Sequence, residues 1–160
     1  MNGPARSPEP PDHPDLPVKP PLVFLVSIVI GVGTHHLAPM RAGPAGRASV
    51  GVAIVALAVA LLVWAALSFR SRRTPLEPWK PTTAIVDFGP FAFSRNPVYL
   101  AFALIQVGFG LWTDRLAVVA MVVPALLATN AWIVPREEAY LERKFGAEYV
   151  GYRRRVRRWL

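Results

Sequence analysis

The residues equipped for chemistry fall into two short segments. Ser94, Arg95, Asn96 and Tyr99 close a polar loop that begins near Thr74, and Arg136, Glu137 and Glu138 follow a long apolar run. These side chains offer a hydroxyl, a guanidinium, an amide, a phenol and two carboxylates. Such a set can hold a charged small molecule and orient a reacting group. The chain has no cysteine, which removes disulfides, thiolate metal sites, cysteine nucleophiles and cysteine lipidation. His35 and His36 are neighbours, so on a helix they point about 100° apart, and no metal site is expected there.

Two chain segments distant in sequence can build one site only if the elements between them bring their ends together. Four apolar runs without Asp, Glu, Lys or Arg cover residues 22–37, 48–69, 98–112 and 116–134. About 20 helical residues cross a hydrocarbon core of roughly 30 Å. The second and fourth runs suffice; the first and third must borrow flanking residues, thin the bilayer or lie inside the bundle. Only Thr113, Asp114 and Arg115 separate the last two runs, which predicts an antiparallel hairpin. Its two open ends carry the two polar segments, so 94–99 and 136–138 are expected to face one another.

Composition agrees with a membrane protein. With 53% hydrophobic residues and only 18% charged, the 160-residue chain is too apolar for an ordinary soluble domain. A net charge of +8 suits a nucleic-acid binder, but the long uncharged runs do not, so no nucleic-acid partner is expected. On a four-span reading, 15 of the 18 basic residues lie on one side and only Arg41, Arg47 and Arg115 on the other. The positive-inside rule then predicts a multi-pass protein, as in a bacterial inner membrane, with both termini cytoplasmic. Eight prolines within residues 1–21 predict a disordered or extended arm preceding a membrane domain over 22–160. After Pro135, apolar residues Leu141, Phe145, Tyr149, Tyr152, Val156 and Trp159 recur every three or four positions. That period predicts an amphipathic tail helix over 136–159 lying in the interface, with Gly146 a candidate interruption. The predicted fold class is therefore an all-α membrane protein with four transmembrane helices, a C-terminal helical hairpin and this tail helix.

The loop from Pro81 through Gly89-Pro90-Phe91 to Arg95-Asn96-Pro97-Val98-Tyr99, with Arg136-Glu137-Glu138 and Phe145-Gly146 before Tyr149 and Tyr152, resembles the C-terminal half of isoprenylcysteine carboxyl methyltransferases and their phospholipid methyltransferase relatives. The resemblance covers roughly residues 74–160. It implies an S-adenosylmethionine-dependent methyltransferase whose cofactor lies on the cytoplasmic side of the hairpin. By that resemblance Thr83, Ala84, Ile85 and Val86 line the cofactor, Phe91 is an aromatic contact, Asn96, Pro97, Val98 and Tyr99 form the main cofactor motif, and Glu137 and Glu138 are its paired acids. Arg95, Asn96 and Glu137 are the expected catalytic residues. Many relatives have histidine where this chain has Asn96, which can hydrogen-bond but cannot carry a proton at neutral pH.

The residue types suit such a cofactor. Glu137 matches its ammonium or ribose, Arg95 its carboxylate, and Phe91 and Tyr99 its adenine or sulfonium. The implied acceptor is lipid-like or amphiphilic and reached through the bilayer, with carboxyl O-methylation the favoured reaction. Phospholipid-type N-methylation, a fold-related membrane reductase and a non-enzymatic membrane subunit are the alternatives. Some features have simpler readings. Pro97 is a normal first-turn proline, Gly108 and Gly110 permit close helix packing, Pro124 kinks the fourth run, and Gln106 and Asn130 are candidate interhelical hydrogen-bond partners.

Overall fold

The computed structural model describes residues 12–41, 43 and 46–160. Most of the proline-rich arm, residues 1–11, lies outside this range. Among the described residues the secondary structure is helical, without strands. Helix α1 spans Pro20–Leu37, α2 spans Gly46–Ser71 and α3 spans Pro97–Trp112. A fourth rod consists of α4 (Leu116–Ala120), α5 (Val122–Ala128), a π-helical turn (Thr129–Ile133) and α6 (Val134–Phe145); α7 (Ala147–Arg155) follows. Three of these, α1, α2 and the rod from Leu116 to Phe145, are long and apolar enough to cross a membrane.

Helix α3, at 16 residues, is shorter and lies inside the bundle, packed on α1, α2, α4 and α5. Its small residues permit this. Ala101 is fully buried and Ala103 nearly so. A Cβ on Gly108 would sit 2.7 Å from the carbonyl oxygen of Gly51, and one on Gly51 would sit 2.6 Å from that of Gly108. Two backbones therefore meet where α2 crosses α3, which gives Gly108 the packing role. Gly110 likewise sits against Val119 of α4, and Gly31 of α1 against Val118. Gln106, with no exposed surface, accepts from Ser27 Oγ of α1 at 2.7 Å and donates to the Val118 carbonyl at 3.0 Å. A buried amide with both ends satisfied ties three helices together. Helix α1 recruits Pro20 and Pro21 as its first turn, extending the short apolar run as a proline start allows.

The fourth rod is interrupted twice, each time by proline chemistry. Pro124 has no N–H for the carbonyl of Ala120 and its ring crowds that carbonyl. The helix breaks there, between α4 and α5. Pro135 likewise withholds the partner of the Ala131 carbonyl, and the backbone widens just before it: Val134 N–H bonds to Thr129 O, five residues back. One extra residue in a turn rotates everything after it by about 100°, which sets the faces taken by Glu137, Glu138 and Tyr140.

The tail differs from the single interfacial helix expected over 136–159. Gly146 has φ +53°, a conformation that favours glycine, and it separates α6 from α7, which ends at Arg155. The apolar positions do share a face, but that face is buried in the protein. Tyr149, Tyr152 and Val156 pack with Ile85 of the loop before α3, and Trp159 packs against the core cluster that includes Phe24, Tyr99 and Ile133. Periodicity locates an apolar face; it does not say whether lipid or protein covers it. Residues 12–19 are held: Asp12 pairs with Lys144 and accepts from Tyr140 Oη through its carbonyl at 3.0 Å, Pro14 is buried, and the Lys19 ammonium lies 5.0 Å from the centre of the Trp79 ring.

Candidate active site

The loop between α2 and α3 is shaped by two left-handed residues. Arg73 (φ 51°) turns the chain out of α2, and Thr74 Oγ1 then accepts from Thr83 N at 2.9 Å. Gly89 has φ +62°, and a Cβ there would lie 2.5 Å from Ser68 Oγ. The 3₁₀ turn Gly89–Ala92 is thereby pressed onto the end of α2, where Phe91 meets Phe69 edge-on at 5.1 Å and packs with Ala65 and Val86. Pro97 then opens α3 and aims Tyr99 inward.

The two polar segments meet as the hairpin predicts. Tyr99 Oη donates to Glu137 Oε1, and Arg95 Nη1 lies 2.8 Å from Glu138 Oε1. The Arg95 and Glu138 side chains are only 11% and 12% exposed, so this ion pair is desolvated rather than solvated. Ser94 and Asn96 join a different partner: both donate to the carbonyl of Arg158, at 3.3 and 2.8 Å. Arg136 turns away and donates to the Trp132 carbonyl of its own helix.

These contacts border a cavity of about 500 Å³, within the roughly 300–1,000 Å³ of small-molecule and cofactor sites. Ala84, Ile85, Val86, Phe91, Arg95, Asn96, Pro97, Val98, Tyr99 and Glu137 all line it. Thr83 and Glu138 do not. Thr83 is used within the loop, its Oγ1 donating to the Arg73 carbonyl at 3.1 Å, and Glu138 stands behind Arg95. Glu137 and Glu138 are consecutive on one helix, so only one can face the cavity squarely.

Several lining residues escaped the sequence reading as site residues. Leu62, Ala66 and Phe69 of α2 and Phe102 of α3 form an apolar wall, while Leu76, Trp79, Tyr140, Leu141, Tyr149 and Tyr152 close the opposite side. The tail tyrosines carried a signal in their helical spacing. The α2 residues carried none, being indistinguishable from their lipid-facing neighbours. Burial pushes the Tyr149 and Tyr152 hydroxyls above the ordinary phenol range, so both stay protonated at neutral pH. Tyr152 Oη donates to the Phe91 carbonyl at 2.9 Å, and Tyr149 Oη accepts from Arg95 Nη1 at 3.4 Å.

Among the described residues three buried side-chain nitrogens have no hydrogen-bond partner, those of His35, Arg95 and Arg115, and of these residues Arg95 alone lines the cavity. His35 and His36 sit at the last turn of α1, far along the chain from any carboxylate cluster, and the described residues include no group of three or more His, Cys, Asp or Glu that could hold a metal.

The sequence model of the family described as phospholipid methyltransferase matches residues 47–148, more than half of the chain. The chain belongs to the phospholipid methyltransferase family. The match takes in α2, the loop, α3, the fourth rod and every carboxylate of the site. It bears out the resemblance carried by the Arg95–Tyr99 and Glu137-Glu138 motifs, and it makes the chain a member of a membrane methyltransferase family. An uncharacterised protein of Haemophilus influenzae is 41% identical over 63 residues, which are 39% of this chain and the whole of that protein. No solved structure matches the chain significantly.

Proposed function

We propose that the protein is an S-adenosylmethionine-dependent methyltransferase of four membrane spans that acts on a lipid-like acceptor, with carboxyl O-methylation as its reaction. The observation that carries this reading is the composition of the cavity: Arg95, Asn96, Tyr99 and Glu137 line it together with apolar Leu62, Ala66, Phe69 and Phe102. A polar end and an apolar end in one space fit a charged cofactor beside an acceptor with a hydrocarbon body.

The side chains fit the cofactor. Arg95, the basic residue among the described residues lining the cavity, offers a guanidinium to a carboxylate. Glu137 presents a carboxylate to an ammonium or ribose hydroxyl, and Phe91, Tyr99, Tyr149 and Tyr152 offer aromatic surface. When bound, S-adenosylmethionine supplies a methyl group activated by the adjacent sulfonium. The protein's contribution is placement and exclusion of water: the cavity lies beneath the loop, the tail helix and the arm residue Pro14. A carboxylate acceptor is already deprotonated at neutral pH and asks for no base. Asn96 offers none, and its amide is committed to the Arg158 carbonyl.

N-methylation of a phospholipid-like amine is the second reading, favoured by the family's description and by Glu137, which could accept an amine proton. Glu137 is already engaged by Tyr99, and this weighs toward the carboxylate. Membranes containing the protein, supplied with radiolabelled S-adenosylmethionine, should yield a lipid-extractable product that releases volatile methanol in mild base. Base-stable label would assign N-methylation or ether formation instead. Absence of label above the Glu137→Ala control in both lipid and aqueous fractions would remove the methyltransferase reading.

The proposed topology has α1, α2, α3 and the fourth rod as spans, with both chain ends and the cavity mouth in the cytoplasm. Its support is the placement of all but three basic residues on that side. Reporter fusions at the C-terminus and within residues 39–47 should report opposite sides; the same side for both would overturn it.

A further inference from the structure

The family match stops at residue 148, so the basic tail from residue 153 onward lies outside it. Its arginines look alike in sequence, and a basic run beside a membrane is most simply a lipid contact. Arg153, Arg154, Arg155 and Arg157 have that exposure. Arg158 does not. Its guanidinium forks onto Glu138, with Nε 3.1 Å from Oε1 and Nη2 2.6 Å from Oε2, and Nη1 reaches Asn130 Oδ1 at 3.3 Å. Trp159 Nε1 donates to the same Asn130 oxygen at 3.1 Å. Asn130 belongs to the π-helical turn.

The backbone of residues 157 and 158 is engaged too. The Arg157 carbonyl accepts from Arg95 N at 2.9 Å, and the Arg158 carbonyl accepts from Asn96 and Ser94. This segment thus bridges the start of α3 to the π turn and α6. Glu138 stands between two guanidiniums: Arg158 takes both of its oxygens, and Arg95 shares only one. A planar fork fixes the orientation of a carboxylate as a flexible ammonium cannot. With Glu138 fixed in that way, Arg95 is held through Nη1 while its side chain lines the cavity.

We propose that Arg158 is a positioning residue of the site, which by its fork on Glu138 sets the Arg95 guanidinium to receive an anionic group of the cavity's ligand. This rests on the cavity being the S-adenosylmethionine site.

The test is calorimetric binding of S-adenosylmethionine to the full chain in phosphatidylcholine nanodiscs, beside its thermal unfolding there. Arg158→Lys keeps the charge but loses the fork and should bind about tenfold more weakly. Arg158→Gln should lose at least as much, whereas Arg154→Ala, at an exposed arginine of the preceding helix α7, should stay within about twofold. Because Arg158 acts through Glu138, the double variant Glu138→Gln/Arg158→Lys should bind no more weakly than Glu138→Gln alone. Wild-type affinity in Arg158→Lys overturns the proposal, and so does a double variant whose loss is the product of the two single losses. Loss of the folding transition in both Arg158 variants would assign the residue to the fold and overturn it as well. Failure of the wild-type chain to bind removes the cofactor reading beneath it and the proposal with it.

Discussion

S-Adenosylmethionine is expected to bind the Glu137→Ala variant about 10- to 150-fold more weakly than the wild-type chain, the equivalent of one charge-assisted hydrogen bond at roughly 1.5 to 3 kcal/mol. Three observations set this expectation. Glu137 lines the cavity while its neighbour Glu138 does not. It is carried past the π turn into the space beneath Tyr99, whose hydroxyl it accepts, so its carboxylate has a fixed direction. It is also, with Glu77, one of two acidic residues among the described residues lining the cavity. Tyr99→Phe separates direction from charge. Removing that hydroxyl leaves the carboxylate in place but unheld, so a smaller loss, of about the net worth of a neutral hydrogen bond, is expected. Titration calorimetry on detergent-solubilised protein reads both variants. Unchanged affinity in Glu137→Ala would take Glu137 out of the cofactor site, and a Tyr99→Phe loss exceeding it would make Tyr99 the primary contact.

Arg95→Ala should be the more damaging change, because it acts on the fold and the ligand together. Its partner Glu138 is 12% exposed. A buried charge stripped of every partner costs roughly 3 to 5 kcal/mol. Here Arg158 stays bonded to both Glu138 oxygens, so the stability loss should be that of one unsatisfied partner, about 1 to 3 kcal/mol. Thermal unfolding in detergent should show this loss. Cofactor affinity should fall by a further factor of about 10 or more, since the guanidinium of the basic residue lining the cavity goes with the side chain. His35→Ala provides the control. It removes another buried nitrogen without a partner, but at the end of α1 and outside the cavity lining, and both measurements should stay at wild-type values. A His35 effect with Arg95 silent would put the site elsewhere in the bundle.

The helices were legible in the residues because their causes are local. Uncharged runs must bury their backbone polar groups in helices, Pro97 starts one, Thr113 to Arg115 turn it back, and Pro124 and Pro135 mark where the last rod cannot continue regularly. The meeting of 94–99 with 136–138 follows from the same facts, since a short antiparallel hairpin returns its ends to one side. The motifs supplied the family on equally local grounds.

Helical phase and partner choice are not local. Which of two consecutive glutamates faces the cavity depends on rotation accumulated along the rod, and the π turn before Val134 changes it by a full residue. The period of Tyr149, Tyr152 and Val156 shows that they share a face, but only the turn at Gly146 folds that face onto Ile85 instead of toward lipid. Asn96 is spoken for by a carbonyl 62 residues away. One arginine in the basic tail is bonded inward while those beside it are exposed, because a charge becomes structural only where the folded chain brings a carboxylate within reach and keeps water out. For these residues the decisive partners lie far along the chain, and packing alone brings them into contact.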